Sequence, residues 1–170
     1  MQVSLVRRAL FTGRIATPLS MPLRPPWATT ETAFLDLCSG CDACAKVCES
    51  NIIATGEGGY PILDFTKGEC TFCRACVDAC EDGALIASEP AAPPWNMTAR
   101  IATGCLSATG VTCRVCGDRC DARAIRFQLA VGGIATPIID PSACNGCGAC
   151  VAPCPTKVIT IEHVTEEACA

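Results

Sequence analysis

Four cysteines near the end of the chain have the spacing of an iron–sulfur ligand run. Cys144, Cys147, Cys150 and Cys154 are separated by two, two and three residues, and Pro155 follows directly. This C-x2-C-x2-C-x3-C-P pattern is the bacterial run that holds a [4Fe–4S] cube through thiolates. A structural zinc site is the alternative, but zinc usually takes two thiolates from one short knuckle and two from a distant one. The spacing therefore favours an iron–sulfur cluster.

Three further cysteine runs precede this one. Two of them keep the same spacing, although glutamate stands in place of the trailing proline. The third is irregular because seven residues separate its first two cysteines. We expect Cys105 to act as a ligand across this longer gap, with a three-thiolate site as the alternative. The candidate metal ligands are Cys38, Cys41, Cys44 and Cys48; Cys70, Cys73, Cys76 and Cys80; Cys105, Cys113, Cys116 and Cys120; and Cys144, Cys147, Cys150 and Cys154.

The four runs form an internal repeat of two halves. The interval from Cys48 to Cys70 and the interval from Cys120 to Cys144 each contain an apolar pair, a Gly-Gly and a Pro-Ile-hydrophobic-Asp sequence. In two-cluster ferredoxins, the fourth cysteine of each run ligates the cluster of the other run. This predicts four mixed sets: Cys38, Cys41 and Cys44 with Cys80; Cys70, Cys73 and Cys76 with Cys48; Cys105, Cys113 and Cys116 with Cys154; and Cys144, Cys147 and Cys150 with Cys120.

The segments between the runs predict an α+β fold. We expect two tandem bacterial-ferredoxin-like modules, each for two [4Fe–4S] clusters, with short hairpins and short helices. Residues 51–64 hold two apolar segments around a glycine-rich turn, which is typical of a β-hairpin, and Pro61 favours an edge position. The predicted organisation is a basic N-terminal arm over 1–30, module 1 over 31–89, a proline-rich linker over 90–98, module 2 over 99–164 and a tail over 165–170.

The composition bears on the core and on the compartment. Aromatic residues make up 5% and charged residues 18% of the 170-residue chain, while cysteine occurs 17 times. Because few large side chains are available, bound clusters should form part of the interior, and the metal-free chain should be largely unfolded. The cluster spacing, the length and the lack of a signal-peptide pattern argue against a secreted disulfide scaffold. Cluster thiolates need a reducing compartment, so we expect a cytoplasmic protein.

The N-terminal arm differs in charge from the rest of the chain. Residues 1–30 carry Arg7, Arg8, Arg14 and Arg24 and no acidic residue, and Arg24 begins an Arg-Pro-Pro-Trp sequence that ends at Trp27. Termini of one charge sign are often interaction tails. Arg7, Arg8, Arg24 and Trp27 are therefore candidate partner-binding residues. The alternatives are a disordered solvated arm and a Trp27 that packs against the first module.

Three other residues invite interpretation. Cys169 has no second cysteine near it in the tail, so we interpret it as an incidental thiol. His163, the one histidine, is expected on the surface and not as a ligand. Trp95 follows two prolines as Trp27 does, which favours a shared packing role. Without a Ser-His-Asp set, a phosphate loop or a dinucleotide fingerprint, the sequence gives no support for enzyme activity.

Six segments together point to a known family. They are Arg7-Arg8 with Thr12-Gly13-Arg14, Arg24-Pro25-Pro26-Trp27, the run at Cys38, Gly58-Gly59-Tyr60-Pro61, Cys70-Thr71-Phe72-Cys73, and Cys144 to Cys150. In combination they resemble the NapF family, the ferredoxin-type proteins of periplasmic nitrate reductase systems. The cluster expected at Cys105 departs from the regular spacing of the other three.

The resemblance implies a function as well as cofactors. It implies a cytoplasmic iron–sulfur protein that interacts with the precursor of the molybdenum-containing catalytic subunit of periplasmic nitrate reductase. It would help that subunit to mature before export, by electron transfer or cluster supply. A plain electron-transfer ferredoxin subunit of an oxidoreductase complex is the alternative. We expect no nucleic-acid partner and no membrane span, since no stretch approaches about 18 apolar residues.

Overall fold

A computed structural model describes residues 21–87 and 94–164, which we call the first half and the second half. Three predicted features lie outside the described residues: most of the basic arm with Arg7 and Arg8, the start of the proline-rich linker, and the tail with Cys169. Among the helices described, none has the length and apolar character that crossing a bilayer requires.

The first half consists of short helices around a small β-hairpin. Strands β1 (Ile53–Thr55) and β2 (Pro61–Leu63) pair antiparallel, with Thr55 opposite Pro61. This confirms the hairpin predicted over residues 51–64. Both strands are edges of a two-stranded sheet, where the missing N–H of a proline is tolerated. The helices are α1 (Glu31–Leu37), α2 (Ala43–Lys46) and α3 (Ala75–Asp78).

The second half repeats this plan with longer strands. Strands β4 (Ile125–Leu129) and β5 (Ala135–Ile139) form the equivalent antiparallel hairpin, which confirms the internal repeat. Strands β3 (Met97–Ile101) and β6 (Ile159–His163) also pair antiparallel, and they join the two ends of this half. A single bridge between Ala28 and Leu85 takes the corresponding place in the first half. Helix α4 (Val115–Asp118) is the counterpart of α2 and α3.

Two segments beyond the predicted module boundaries pack with the modules. Residues 1–30 are predicted as an arm, yet the Leu63 amide donates a hydrogen bond to the Leu23 carbonyl at 2.8 Å, and Pro25 is fully buried. Residues 90–98 are predicted as a linker, yet Met97 and Thr98 already belong to β3. The chain before α1 therefore extends the first half as an element of its packing.

Each of three short helices carries one buried thiol. Helices α2, α3 and α4 have four residues each and contain Cys44, Cys76 and Cys116. Helices α2 and α3 follow residues in the left-handed region, Asp42 at φ 59° and Arg74 at φ 68°. A single helical turn is unstable by propensity alone. The packing of these thiols into the interior therefore stabilises the turns that carry them.

One hydrophobic core extends through both halves. Phe34, Ile52 and Phe65 contribute from the first half, and Met97 and Ile161 contribute from the second half to the same cluster of contacting side chains. Buried cysteines complete this core, as the low aromatic content predicts. Because full burial of a large apolar side chain contributes about 1.5–3 kcal/mol, this shared core stabilises the arrangement of the two halves.

Candidate metal centre

Four cavities in the described structure are each lined by four cysteines. Every set takes three cysteines from one run and the fourth from the other run of the same half. The structure thus brings together the same thiols that the repeat predicts. The sets are the Cys38 set (Cys38, Cys41, Cys44 and Cys80), the Cys70 set (Cys48, Cys70, Cys73 and Cys76), the Cys105 set (Cys105, Cys113, Cys116 and Cys154) and the Cys144 set (Cys120, Cys144, Cys147 and Cys150).

Cys105 reaches its cavity although its run is irregular. A short 3₁₀ helix over Ser107–Thr109 occupies the middle of the seven-residue gap, and Ser107 is only 2% exposed. Gly110 follows at φ 88°, a left-handed conformation that favours glycine. This compact turn lets Cys105 line the same cavity as Cys154, as the interpretation with four thiols requires.

Burial opposes ionisation of the thiols when no metal is bound. It raises the pKa of Cys44 and Cys70 to about 11, and it raises the pKa of Cys76 and Cys150 to about 12. Thiols with such pKa values are protonated at neutral pH. Since the thiolate is the metal ligand, cluster binding must displace these protons.

Hydrogen-bond donors lie close to two of the cavity sulfurs. The Ala99 amide donates to Cys144 Sγ at 3.5 Å. Burial would raise the pKa of Cys154, but hydrogen bonds from the Val158 amide and from the hydroxyl and amide of Thr156 bring it below its ordinary value. Donors of this kind stabilise bound thiolates and tune the reduction potential of a cluster. The cavities therefore combine mostly apolar walls with hydrogen-bond donors close to sulfur.

The donor sets fit [4Fe–4S] clusters in number, chemistry and surroundings. Each set supplies four thiols, which are the ligands that such clusters take. In the parts of the chain that the structure describes, no three His, Cys, Asp or Glu side chains are grouped to hold a single metal ion. The role of the sixteen cysteines as ligands stays a prediction.

Arg24, a candidate partner-binding residue, is engaged within the first half. Its Nε and Nη2 donate to the Glu31 carboxylate at 3.0 and 2.7 Å, and its Nη1 donates to the Pro61 carbonyl at 3.1 Å. Its guanidinium carbon also lies 4.8 Å from the centre of the Phe34 ring. These contacts tie the chain before α1 to α1 and β2. Partner binding by Arg24 stays a prediction.

Trp27 packs against the first half, as one of its two interpretations expects. Its carbonyl accepts from the Ile86 amide of the first half, and its amide donates to the Pro94 carbonyl of the second half, both at 2.8 Å. Its ring lines the cavity of the Cys70 set and lies 5.6 Å from the guanidinium carbon of Arg74. A packing role for Trp27 is therefore established, while its role toward a partner stays a prediction.

The two halves are in direct contact, which the cysteine spacing does not predict. The Cys70 amide donates to the Cys147 carbonyl at 2.8 Å. Trp95 packs edge-on against Phe65 and Phe72, with ring centroids 6.1 and 5.4 Å apart. The repeated Pro-Pro-Trp sequence is a signal that Trp95 packs, but it does not say against what.

His163, expected on the surface, lies at the end of β6 and is half-buried. Its Nε2 atom is buried and has no hydrogen-bond partner among the described residues. Thr98 Oγ1, in the neighbouring strand β3, is also buried and has no hydrogen-bond partner among the described residues. Neither residue lines one of the four cysteine cavities described above.

Comparison with protein families assigns the same cofactor to both halves. Two families described as "4Fe-4S dicluster domain" match the chain, one over residues 37–85 and the other over residues 111–158. These matches confirm the predicted α+β fold of two tandem ferredoxin-like modules and the predicted [4Fe–4S] cofactors. The second match begins after Cys105, in agreement with the irregular start of that run.

Comparison with characterised proteins covers nearly the whole chain. The "Ferredoxin-type protein NapF" of Escherichia coli (strain K12) is 41% identical over 164 residues, which are 96% of this chain and 98% of that protein. The "Ferredoxin-type protein NapF" of Haemophilus influenzae is 43% identical over 144 residues, which are 85% of this chain and 81% of that protein. The similarity therefore extends beyond the cysteine runs to the segments that surround them.

Proposed function

Because this chain belongs to the NapF family of ferredoxin-type proteins, we propose that it assists maturation of the periplasmic nitrate reductase catalytic subunit. It binds the molybdenum-containing subunit as an unprocessed precursor in the cytoplasm, before export, and serves it by electron transfer or cluster supply. The chain itself is a ferredoxin-type iron–sulfur protein with two 4Fe-4S dicluster domains. The proposal adds the partner, the stage at which it is met and the compartment.

The interlock of the four cysteine sets is the observation that carries the iron–sulfur part of this proposal, and the family membership carries the partner. Each set draws on both runs of its half, so each half contains all the thiols that two clusters need. We assign the Cys38, Cys70, Cys105 and Cys144 sets as the ligands of one [4Fe–4S] cluster each. When bound, such a cluster exchanges one electron at a potential that its surroundings set.

The chain's own residues bind the clusters and control their surroundings. The sixteen thiolates bind the clusters. Because each cluster takes thiolates from both runs of its half, it links the two runs to each other. Apolar side chains such as Ile52, Ile53 and Leu63 line the cavity of the Cys70 set and exclude water from it. Amide donors such as that of Ala99 stabilise the negative charge on sulfur. We assign no catalytic residue, since these roles describe an accessory for electron transfer and assembly.

The basic arm supports an accessory over a simple carrier. Residues 1–20 contain Arg7, Arg8 and Arg14 without an acidic residue, whereas the first half that follows is rich in acidic side chains. An electron carrier needs exposed redox centres but has no need of a basic extension. A protein that docks on one precursor does gain specificity and speed of association from such a segment.

Iron and sulfide analysis of anaerobically purified protein tests the cofactor assignment. We expect about 16 iron atoms and as many sulfides per chain, with [4Fe–4S] signals in electron paramagnetic resonance after reduction. Zinc in place of iron would contradict the assignment, as would disulfides in place of inorganic sulfide.

A binding measurement with the unprocessed catalytic subunit tests the partner. The variant should lack residues 2–20 only, because Leu23 and Arg24 make hydrogen bonds that hold the first half together. We expect at least tenfold weaker binding of this variant, with unchanged reduction by dithionite. An Arg7→Ala and Arg8→Ala double variant should reproduce the loss, whereas Arg100→Ala, at a side chain that is 71% exposed in the second half, should not.

The outcomes separate the two candidate functions. Undiminished binding by the shortened chain would remove the arm from the mechanism. No binding by the full-length chain would overturn the accessory function and leave a plain electron-transfer subunit of an oxidoreductase complex.

A further inference from the structure

A backbone hydrogen bond connects two of the four cysteine cavities directly. The Cys70 amide of the first half donates to the Cys147 carbonyl of the second half at 2.8 Å. Cys70 lines the cavity of the Cys70 set, and Cys147 lines the cavity of the Cys144 set. One peptide group from each ligand loop is therefore in contact across the boundary between the halves.

Three aromatic side chains hold this contact in place. Trp95 lies against Phe65 and Phe72 of the first half, with ring centroids 6.1 and 5.4 Å apart. Its indole Nε1–H donates to the Asn145 carbonyl at 2.8 Å, inside the ligand loop of the second half. Phe72 belongs to the ligand loop of the first half. Trp95 therefore links the two loops through its ring on one side and its N–H on the other.

Gly148 shows that this contact dictates the identity of a loop residue. Gly148 has φ 80°, while Asp42 and Arg74 occupy the equivalent position of two other runs at φ 59° and 68°. The left-handed conformation alone therefore does not require glycine here. A Cβ atom on Gly148 would overlap the ring of Phe65. The missing side chain lets a first-half aromatic ring lie directly on the second-half loop.

Packed elements place the four sets in a row. Helix α2 carries Cys44 of the Cys38 set, helix α3 carries Cys76 of the Cys70 set, and the two helices pack against each other. In the second half, strands β3 and β6 line both cavities, with Ala99 and Ile161 at the Cys144 set and Ile101 and Ile159 at the Cys105 set. The hydrogen bond between Cys70 and Cys147 joins the two inner cavities. The order is therefore Cys38 set, Cys70 set, Cys144 set and Cys105 set.

We propose that the contact between Cys70 and Cys147 couples the two halves electronically, so that the chain is one four-centre relay and not two separate two-centre carriers. The Cys70 and Cys144 sets are its inner members, and the Cys38 and Cys105 sets are its ends. This inference rests on the proposed cluster ligation but not on the proposed partner.

The step that crosses the boundary is a one-electron exchange. The Cys70 and Cys144 sets would hold the two centres that exchange it: the centre that gives up the electron would be oxidised, and the centre that accepts it would be reduced. No covalent bond is formed or broken, and no proton is required. A one-electron carrier protein outside the chain supplies the electron, and an electron acceptor at the other end removes it.

Electron paramagnetic resonance of the fully reduced full-length protein tests the relay. Neighbouring reduced clusters interact magnetically, so a row of four gives three interacting pairs, whereas two independent halves give two. We expect that simulation of the spectrum requires three pairs. Iron content is measured on the same sample, so that failure of the relay can be distinguished from failure of the cluster ligation. Four clusters with two interacting pairs would overturn the relay alone, and two clusters or fewer would overturn the ligation and the relay together.

Two variants test whether the described contact provides the coupling. Gly148→Ala should displace Phe65 and remove the third pair. Gly133→Ala is the matched control, because Gly133 has φ 78° and an added Cβ there meets nothing within 4 Å. If Gly148→Ala does not take up four clusters, Trp95→Ala tests the same contact by removing the ring and the hydrogen bond to Asn145. Three interacting pairs retained in the variant that takes up four clusters would overturn the role of this contact.

Discussion

The guanidinium of Arg24 and the carboxylate of Glu31 form a two-point hydrogen bond that fastens the chain before α1 to the first turn of α1. The side chains are only 12% and 27% exposed. A planar fork of this kind suits Arg and not Lys. We expect Arg24→Lys to destabilise the cluster-loaded protein by about 1–2 kcal/mol, measured by thermal unfolding followed by circular dichroism.

The matched control for this variant is Arg100→Lys. Arg100 pairs with Glu162 at 3.4 Å, and their side chains are 71% and 46% exposed. Exposed pairs contribute little, so we expect a change below about 0.5 kcal/mol. Equal effects of the two substitutions would show that the Arg24 contacts do not stabilise the first half.

Removal of the metal should unfold the chain. The interior depends on cysteines that line four cavities, and the helices α2, α3 and α4 are too short to be stable without their packing. Metal that binds only the folded chain contributes its binding free energy to folding. We expect anaerobic chelation in the presence of a thiol reductant to abolish most far-ultraviolet circular dichroism of the folded state. A chelated chain that keeps its hydrogen-exchange protection would contradict this expectation.

Alkaline pH should further destabilise whatever structure the metal-free chain retains. Thiols of the unfolded chain ionise near a pKa of about 8.5. Burial raises the pKa of Cys76 and Cys150 to about 12 in the folded chain. Since the folded values are higher, the contribution of these thiols is intact below the unfolded pKa and is lost as pH rises toward the folded pKa. Residual structure of the chelated chain should therefore decrease between pH 8 and pH 10, roughly the start of that window.

The cluster-loaded protein is the control for the alkaline titration. Its thiols are bound as thiolates and have no proton to lose, so the same pH range should leave its structure unchanged. Residual structure that increases with pH in the chelated chain would refute the assigned direction.

Substitution of Cys105 should remove one cluster of four. Cys105 lines one cavity together with Cys113, Cys116 and Cys154, although its run is irregular. We expect Cys105→Ser to lower the iron content from about 16 to about 12 atoms per chain, or to about 15 with the signal of a three-iron cluster. Cys169→Ser is the matched control and should keep the full iron content. Equal iron content in the two variants would exclude Cys105 as a ligand.

The distribution of charge should separate the potentials of the two halves. Residues 21–87 contain ten acidic and four basic side chains, whereas residues 94–164 contain four acidic and six basic ones. Negative charge near a cluster disfavours the added electron and lowers its potential. We expect the first-half centres to have the lower potentials in a redox titration. Removing one exposed charge with Arg119→Gln should lower second-half potentials by on the order of 10–50 mV, while Arg119→Lys should not.

The cysteine spacing was sufficient to predict which cysteines lie together and much of the fold. The groups around Cys38, Cys70 and Cys144 follow from a spacing that only a cluster loop needs, and the repeat extends the pattern to Cys105. The two hairpins were predictable because short apolar segments flank a glycine-rich turn in each half. The hairpins and the loops that hold three cysteines are local, so a single segment specifies each of them. The fourth cysteine of each set is distant in sequence, and its place was predicted from the crossed ligation of two-cluster ferredoxins.

The contacts between distant segments could not be predicted from spacing. The pairing of β3 with β6 joins strands that are separated by the whole second half. The hydrogen bond between Cys70 and Cys147 uses backbone groups that every residue carries, so no residue type signals it. Arg24 illustrates a different limit. Its charge suggested a partner, but its guanidinium donates hydrogen bonds to the Glu31 carboxylate and lies over the Phe34 ring within the chain.

The crossed pairing of cysteines has a consequence for synthesis on the ribosome. The Cys38 set lacks its fourth thiol until Cys80 has emerged, and the Cys105 set lacks its own until Cys154 has emerged. The first half can therefore receive both of its clusters while the second is still being translated. Nascent chains stalled only after Cys80 has left the ribosome exit tunnel should already retain iron, and they would present a finished surface at Phe65 and Phe72 on which the second half then forms.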